Sequence, residues 1–265
     1  SGVNYVGYCW KAGGSSNTFN VDDVGYSSAL FAGLASGSVT PTGASVGTKQ
    51  GFSIIKWTAP SPQDNSATIA HGLTQKPDFW IVKSLDSVAD WICYTELIDG
   101  SLDFAHLNNT EEFNNSSATA PTSTTFGVYG NDINTAGDEV IAYLWHSVPG
   151  VQKFGSYEGN SNVDGAFVWL GFQPAVIIFK NAESPANWMI YDDSRDFMNT
   201  GYRCLYPNLT NAENSTSSDN EIDILSDGFK LRNDDNQSND SARYIYMAWA
   251  KSPLHNLYGA QSNTR

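Results

Sequence analysis

The sequence predicts an all-β fold: two tandem homologous antiparallel β-sandwich units with a small-residue-rich N-terminal connector. Three observations predict it. Short runs of β-branched and aromatic residues alternate with clusters of Gly, Asn, Ser, Thr and Asp along all 265 residues, and no long amphipathic helical pattern interrupts them. A hairpin pattern occurs twice, as PDFWIVKSLDSVADWICY (77–94) and PAVIIFKNAESPANWMIY (174–191), with Lys83 matching Lys180, Trp91 matching Trp188 and Tyr94 matching Tyr191. A strand apolar on both faces recurs as VGYCW (6–10), IAYLW (141–145) and IYMAW (245–249). Such a strand lies centrally in a sheet and is covered on both sides.

Residues 1–11 carry the first copy of that strand. The other two copies close their units, so this one is expected to be the orphan closing strand of a preceding unit. Residues 12–50 are crowded with Gly, Ser, Ala and Thr, which suits a connector wrapped on a neighbour; Ser27–Ala35 has room for a short helix. Unit one spans 51–149 and runs GFSIIKWTA, SATIAHGL, the hairpin, FAHLNN, TTFGVYGND and the closing strand. Unit two spans 150–253 and answers in the same order: KFGSYEG, GAFVWLGF, the hairpin, RCLYPNL, SDGFKLRNDD and YIYMAWA. In each hairpin Pro77 or Pro174 begins the outgoing strand, where no ladder donor is needed. Ser87 or Ser184 and Asp90 or Asn187 are placed to bond the backbone of the turn. The polar tail, 254–265, is expected to fray.

Asp and Glu number 28 against 14 Lys and Arg, a formal net charge of −14. That surface repels phosphate backbones and anionic lipid, so neither nucleic acid nor a membrane is expected as a partner. No window approaches the ~20 apolar residues of a membrane helix. Cys9, Cys93 and Cys204 form no disulfide or metal pattern and read as buried free thiols. GxSxG, Walker, HExxH and paired CxxC motifs are all absent, so no cofactor and no catalytic residue is assigned. His71, His106, His146 and His255 are scattered and read as structural.

Two acidic stretches could carry chemistry. Asp192, Asp193 and Asp196 follow the second hairpin, Arg195 could hold one of them charged, and Trp188 could line a groove; two carboxylates suffice for glycoside hydrolysis. The competing reading is a solvated turn with local ion pairs. Asp234, Asp235, Asn236 and Asp240 stack oxygen ligands as a calcium loop does, but without the glycine and terminal glutamate of an EF-hand, so a polar turn competes there. Trp10, Trp145 and Trp249, like Trp91 and Trp188, recur at one position and read as core, as do Trp57 and Trp80. Trp169, Tyr202 and Tyr206 lack repeats and are candidates for an exposed platform that stacks on a sugar. Asn108, Asn208 and Asn236 begin Asn-x-Ser/Thr triplets, acceptors only along a eukaryotic secretory route.

The motifs YVGYCWKAGG (5–14), FNVDDVGY (19–26), TGASVGTKQGFSIIKWT (42–58), HGLTQKPDFWIVK (71–83), SVPGVQKFGSYEGN (147–160), LGFQPAVIIFK (170–180), LSDGFKLR (225–232) and YIYMAWAKSP (244–253) resemble, in content and order, repeat domains of virion proteins of tailed bacteriophages, especially marine ones. These are of the tail-fibre or host-contact appendage type. The resemblance implies a non-enzymatic adhesion module on the extracellular phage particle, with a host cell-surface glycan or protein and other virion subunits as partners. It supplies no catalytic residues. A homo-oligomer, a trimer, is expected from it and from the doubly apolar closing strands. The alternatives are a capsid-decoration or head-fibre protein, and a surface-polysaccharide depolymerase working through Asp192–Asp196.

Overall fold

A computed structural model of the chain describes residues 5–61, 63–130, 133–196, 199–213 and 220–252; the polar tail lies outside them. The fold is all-β, with no α-helix among the described residues. The 12–50 segment contributes β1 (Phe19–Val21), β2 (Val24–Tyr26) and β3 (Gly43–Gly47). Unit one contributes β4 (Phe52–Thr58), β5 (Thr68–Ala70), β6 (Phe79–Ser84), β7 (Ile92–Thr95), β8 (Asp103–His106), β9 (Asn114–Asn115), β10 (Thr125–Gly127) and β11 (Glu139–Trp145). Unit two contributes β12 (Gln152–Glu158), β13 (Phe167–Trp169), β14 (Pro174–Asn181), β15 (Met189–Asp192), β16 (Ile222–Ile224), β17 (Gly228–Leu231) and β18 (Arg243–Ala250).

The two units share a topology. Unit one orders four neighbouring strands β4-β11-β6-β7, and unit two orders β12-β18-β14-β15. The register repeats as well: Trp145 lies opposite Phe52 and Phe79, and Trp249 lies opposite Gln152 and Val176. A small sheet faces each large one, β10-β5 in unit one and β13-β17-β16 in unit two. Each pair of sheets encloses its own core. Val140, Ala142 and Leu144 of β11 join the first core, and Tyr244, Tyr246 and Ala248 of β18 join the second.

Because side chains alternate along a strand, the closing strands have a second face. Trp145 and Tyr143 of β11 meet Ile245, Met247 and Trp249 of β18 in a third core, together with Phe52, Phe79, Phe154 and Trp188. The two sandwiches are thus packed large sheet against large sheet. The double covering expected of the closing strands is met inside one chain, so those strands supply no separate ground for an oligomer.

The hairpins repeat because their turns are built alike. Lys83 Nζ donates to the carbonyls of Ser84 (2.9 Å) and Ser87 (3.4 Å); Lys180 Nζ donates to those of Asn181 (2.6 Å) and Ser184 (3.4 Å). Ser84 Oγ and Asn181 Oδ1 each accept two backbone N–H groups of the turn. A latch follows. Asn108 Oδ1 accepts Trp91 N while its amide donates to Asp90, and Asn208 does the same for Trp188 N and Asn187. The first two sequon asparagines are therefore structural parts of the turn.

Five expectations are corrected. Residues 5–11 form no strand, since no neighbouring strand offers them a ladder; they cross the end of the third core as a strap, with Trp10 5.0 Å from Trp249 and 6.2 Å from Trp145. Cys9 on that strap is exposed, whereas Cys93 and Cys204 are buried. The 12–50 segment is no mere connector: β1 and β3 extend the sheet of unit one through β4, and β1 turns into β2 through Asp22 and Asp23, both at positive φ. Its small residues meet a packing demand, since a Cβ on Gly13 would fall 2.1 Å from the Val46 carbonyl oxygen. Ser27–Ala35 forms turns in place of a helix. Trp91, expected in the core, is 37% exposed while Trp188 is fully buried.

Burial pushes the Lys180 ammonium down to about 8, while an unfolded lysine titrates near ~10.4. Between these values the unfolded chain binds more protons than the folded one, so Lys180 makes stability rise with pH from about 8 to about 10. Urea titrations of wild type and Lys180→Met across that window should show the rise in the wild type and its loss in the variant.

Candidate functional site

The acidic run after β15 is tied down residue by residue. Asp192, almost fully buried, accepts the Tyr8 hydroxyl (2.7 Å), Arg195 Nε (2.5 Å) and the backbone N–H groups of Ser194 (3.1 Å) and Arg195 (2.9 Å). Arg195 also reaches Glu213 Oε1 at 2.6 Å. Asp193 pairs with Lys251 at 2.7 Å. Asp196 accepts the backbone N–H groups of Tyr202 (2.7 Å) and Arg203 (3.0 Å). Burial alone would raise the Asp192 carboxyl, but the bonds from Tyr8 and Arg195 outweigh it and hold the group below its ordinary range. A hydrolase needs one carboxyl raised to act as acid; this cluster instead fastens the N-terminal strap and the following loop to unit two. Trp188, fully buried in the third core, lines no groove here.

In the 233–240 loop Asp234 is exposed, while oxygens of Asp235, Asn236 and Asp240 face protein donors. Asp235 Oδ1 accepts Gln237 N, Asp240 Oδ1 accepts Ser161 Oγ and Ser241 N, and the Asn236 carbonyl accepts Tyr244 Oη. Among the described residues no three His, Cys, Asp or Glu side chains converge as a metal site would require.

The three unpaired aromatics part company. Tyr206 packs against the second core and accepts Asn220 Nδ2 at 3.1 Å. Tyr202 follows Gly201, which bridges to Ile222 on β16, the edge of the small sheet opposite β13. Trp169 stands on β13 itself, 59% exposed. A single platform of all three is therefore not formed. Alternation along β13 buries Val168 and turns Phe167, 48% exposed, outward with Trp169.

The Trp169 indole is exposed yet fixed. Lys153 Nζ, on the neighbouring sheet, lies 4.6 Å from the ring centroid and donates to the Trp169 carbonyl at 2.7 Å. Gly171 passes against the ring, where a Cβ would lie 3.2 Å from Cζ2. Beside this pair Asp164 holds Lys230 (2.9 Å) and Arg232 (3.2 Å), and Arg232 holds Asp223 (2.6 Å). The register places Lys230 opposite Phe167 and Gly228 opposite Trp169. The result is two aromatic side chains on a rigid strand, flanked by paired charges with hydrogen-bonding capacity. Phe167 and Lys153 were missed from sequence; the alternation of GAFVWLG was the available signal for Phe167, and none existed for Lys153.

Unit one has no counterpart. Its β5, paired with β10 as β13 is with β17, carries Thr68 and Ala70 where β13 carries Phe167 and Trp169. The free edge of β5 is also occupied, since Val39 bridges to Ile69 and Ser38 bonds Thr68.

A fold of two fused β-sandwiches with one aromatic face is the class of protein that these observations define. The chain belongs to the DUF7483 family, a domain of unknown function, whose model matches residues 1–253 and so spans both units. No curated protein and no solved structure matches it.

Removing the Asp192 carboxylate leaves Arg195 with Glu213 as its carboxylate partner and takes the acceptor from the Tyr8 hydroxyl. Asp192→Ala should cost roughly 2 kcal/mol in urea unfolding through its lost charge-assisted hydrogen bonds and release residues 5–11 to fast amide exchange, whereas Asp193→Ala, which loses a half-exposed partner, should change stability little.

Proposed function

We infer that this chain is a non-enzymatic module of a tailed-phage virion, of tail-fibre or appendage type, that binds glycan on the host surface through the Trp169–Phe167 face of unit two. The observation that carries the reading is the exposed, pre-positioned Trp169. A soluble domain keeps a large indole in water only at a cost in hydrophobic free energy, and contiguous exposed aromatics mark recognition surfaces. The apolar face of a sugar ring matches a flat indole, while its hydroxyls match the Asp164, Lys230 and Arg232 side chains alongside. Fixing the ring before binding lowers the entropy that association must overcome.

The charge supports the same class of ligand. A formal net charge of −14 disfavours polyanions and leaves neutral or amino-bearing polysaccharide as the favoured target. The copies differ at this face, Thr68 and Ala70 standing in unit one where Phe167 and Trp169 stand in unit two, which fits a binding role added to a duplicated scaffold.

The test is binding of labelled protein to an array of bacterial surface polysaccharides and to the cells that bear the strongest hit. Trp169→Ala should weaken binding by about tenfold or more, equivalent to ~1.4 kcal/mol, with an unchanged melting temperature. Equal binding by the Trp169→Ala, Phe167→Ala double variant, or no binding to any surface glycan, would remove this reading.

A further inference from the structure

The two small sheets present the same edge, and the chain itself covers only one of them. In unit one His71 N donates to the Thr124 carbonyl (3.2 Å), so the odd-numbered residues of β5 bond β10 and the N–H and C=O of Thr68 point away from it. An extended stretch takes up both groups. Thr68 N donates to Ser38 Oγ (2.9 Å), the Thr68 carbonyl accepts Val39 N (3.0 Å), and Val39 runs parallel to Ile69. The stretch lies close, since a Cβ on Gly37 would fall 2.4 Å from the Thr68 carbonyl oxygen, and Val39 packs on the first core.

β13 offers the same groups in the same register. Leu231 N donates to the Ala166 carbonyl (3.0 Å) and Leu170 N to the Asp227 carbonyl (2.8 Å), so here the even-numbered residues bond β17. The N–H and C=O of Phe167, the counterparts of those of Thr68, therefore point out of the sheet, as does the Trp169 N–H. Among the described residues none of the three has a partner. Lys153 caps only the Trp169 carbonyl. No stretch like 36–41 stands before unit two, because the link from β11 to β12 runs only from His146 to Val151.

A strand edge with open main-chain groups and exposed apolar side chains beside it is suited to the addition of a further strand. We propose that the outer edge of β13 takes an extended segment of a separate protein chain. It runs parallel to β13 and carries the small, hydroxyl, β-branched pattern that Gly37, Ser38 and Val39 supply in unit one. Its hydroxyl oxygen accepts the Phe167 N–H, and the next N–H donates to the Phe167 carbonyl. A parallel ladder then puts the carbonyl of the β-branched residue against the Trp169 N–H. This goes beyond the glycan reading and does not rest on it: the sugar lies on the side-chain face, the strand on the edge.

The probe is a synthetic peptide of residues 35–42, ASGSVTPT, added to the isotope-labelled full chain. The amide signals of Phe167 and Trp169 should shift, and their hydrogen exchange should slow by about tenfold or more at saturation. Methylating the peptide nitrogen that corresponds to Val39 removes the donor for the Phe167 carbonyl while leaving the protein untouched, and should weaken binding by about tenfold or more. Phe167→Pro removes the outward N–H at an edge position that accommodates proline, and should abolish the shift at Trp169. Trp169→Ala, which should lose glycan, keeps both Phe167 main-chain groups and should still bind the peptide, so the two readings fail separately. No shift at Phe167 and Trp169, or equal binding of the methylated peptide, would overturn the proposal. So would slow exchange at both amides before peptide is added, the mark of a second copy's strand already on the edge.

Discussion

The second apolar face of each closing strand governs the arrangement of everything else in this chain. β11 and β18 are each committed to a sandwich by Val140, Ala142 and Leu144 or by Tyr244, Tyr246 and Ala248. Their other faces hold residues too large and apolar to leave in water. Facing the two large sheets toward each other satisfies both at once and yields a third core. Trp10, Trp145 and Trp249, one from each copy of the motif, meet at its end within 5.0–6.3 Å of one another. Duplication has therefore produced one fused body in place of two beads on a string, and the surfaces left for recognition are the outward faces and the rims.

On those surfaces the copies have diverged. In unit one the 12–50 segment supplies β1 to β3 to the large sheet and closes the edge of β5. In unit two β13, which carries Phe167 and Trp169, ends its sheet with no further strand paired to it among the described residues. The hairpins diverge in the other direction: that of unit two is small at its tip and docked, that of unit one is larger and free. Packing constraints explain the conserved halves of each comparison, and the exposed apolar residues in the other halves are where interaction with something else is most economically placed.

Much of the fold was legible because β periodicity and repetition reinforce each other. The hairpins, the order of elements in both units and the double covering of the closing strands all follow from residues that recur at fixed intervals. What was not legible depends on single contacts between distant segments. The Gly- and Ser-rich strands in 12–50 resembled a linker because their side chains are small for close packing, as at Gly13 beside Val46. Residues 5–11 have a strand pattern but no ladder partner, and pattern alone cannot supply one. Of the candidate site residues, Trp169 is exposed on β13. Asp192 and Asp196 are absorbed by hydrogen bonds to Tyr8, Arg195 and the 202–203 backbone, and such bonding at long range leaves no local trace in sequence.

The central claim is that the third core makes the two sandwiches a single cooperative unit. Differential scanning calorimetry tests it most directly, by comparing calorimetric with van't Hoff enthalpy. The account predicts one transition with the two enthalpies equal. Two resolved transitions, or a van't Hoff enthalpy near half the calorimetric value, would show the sandwiches unfolding independently and contradict it.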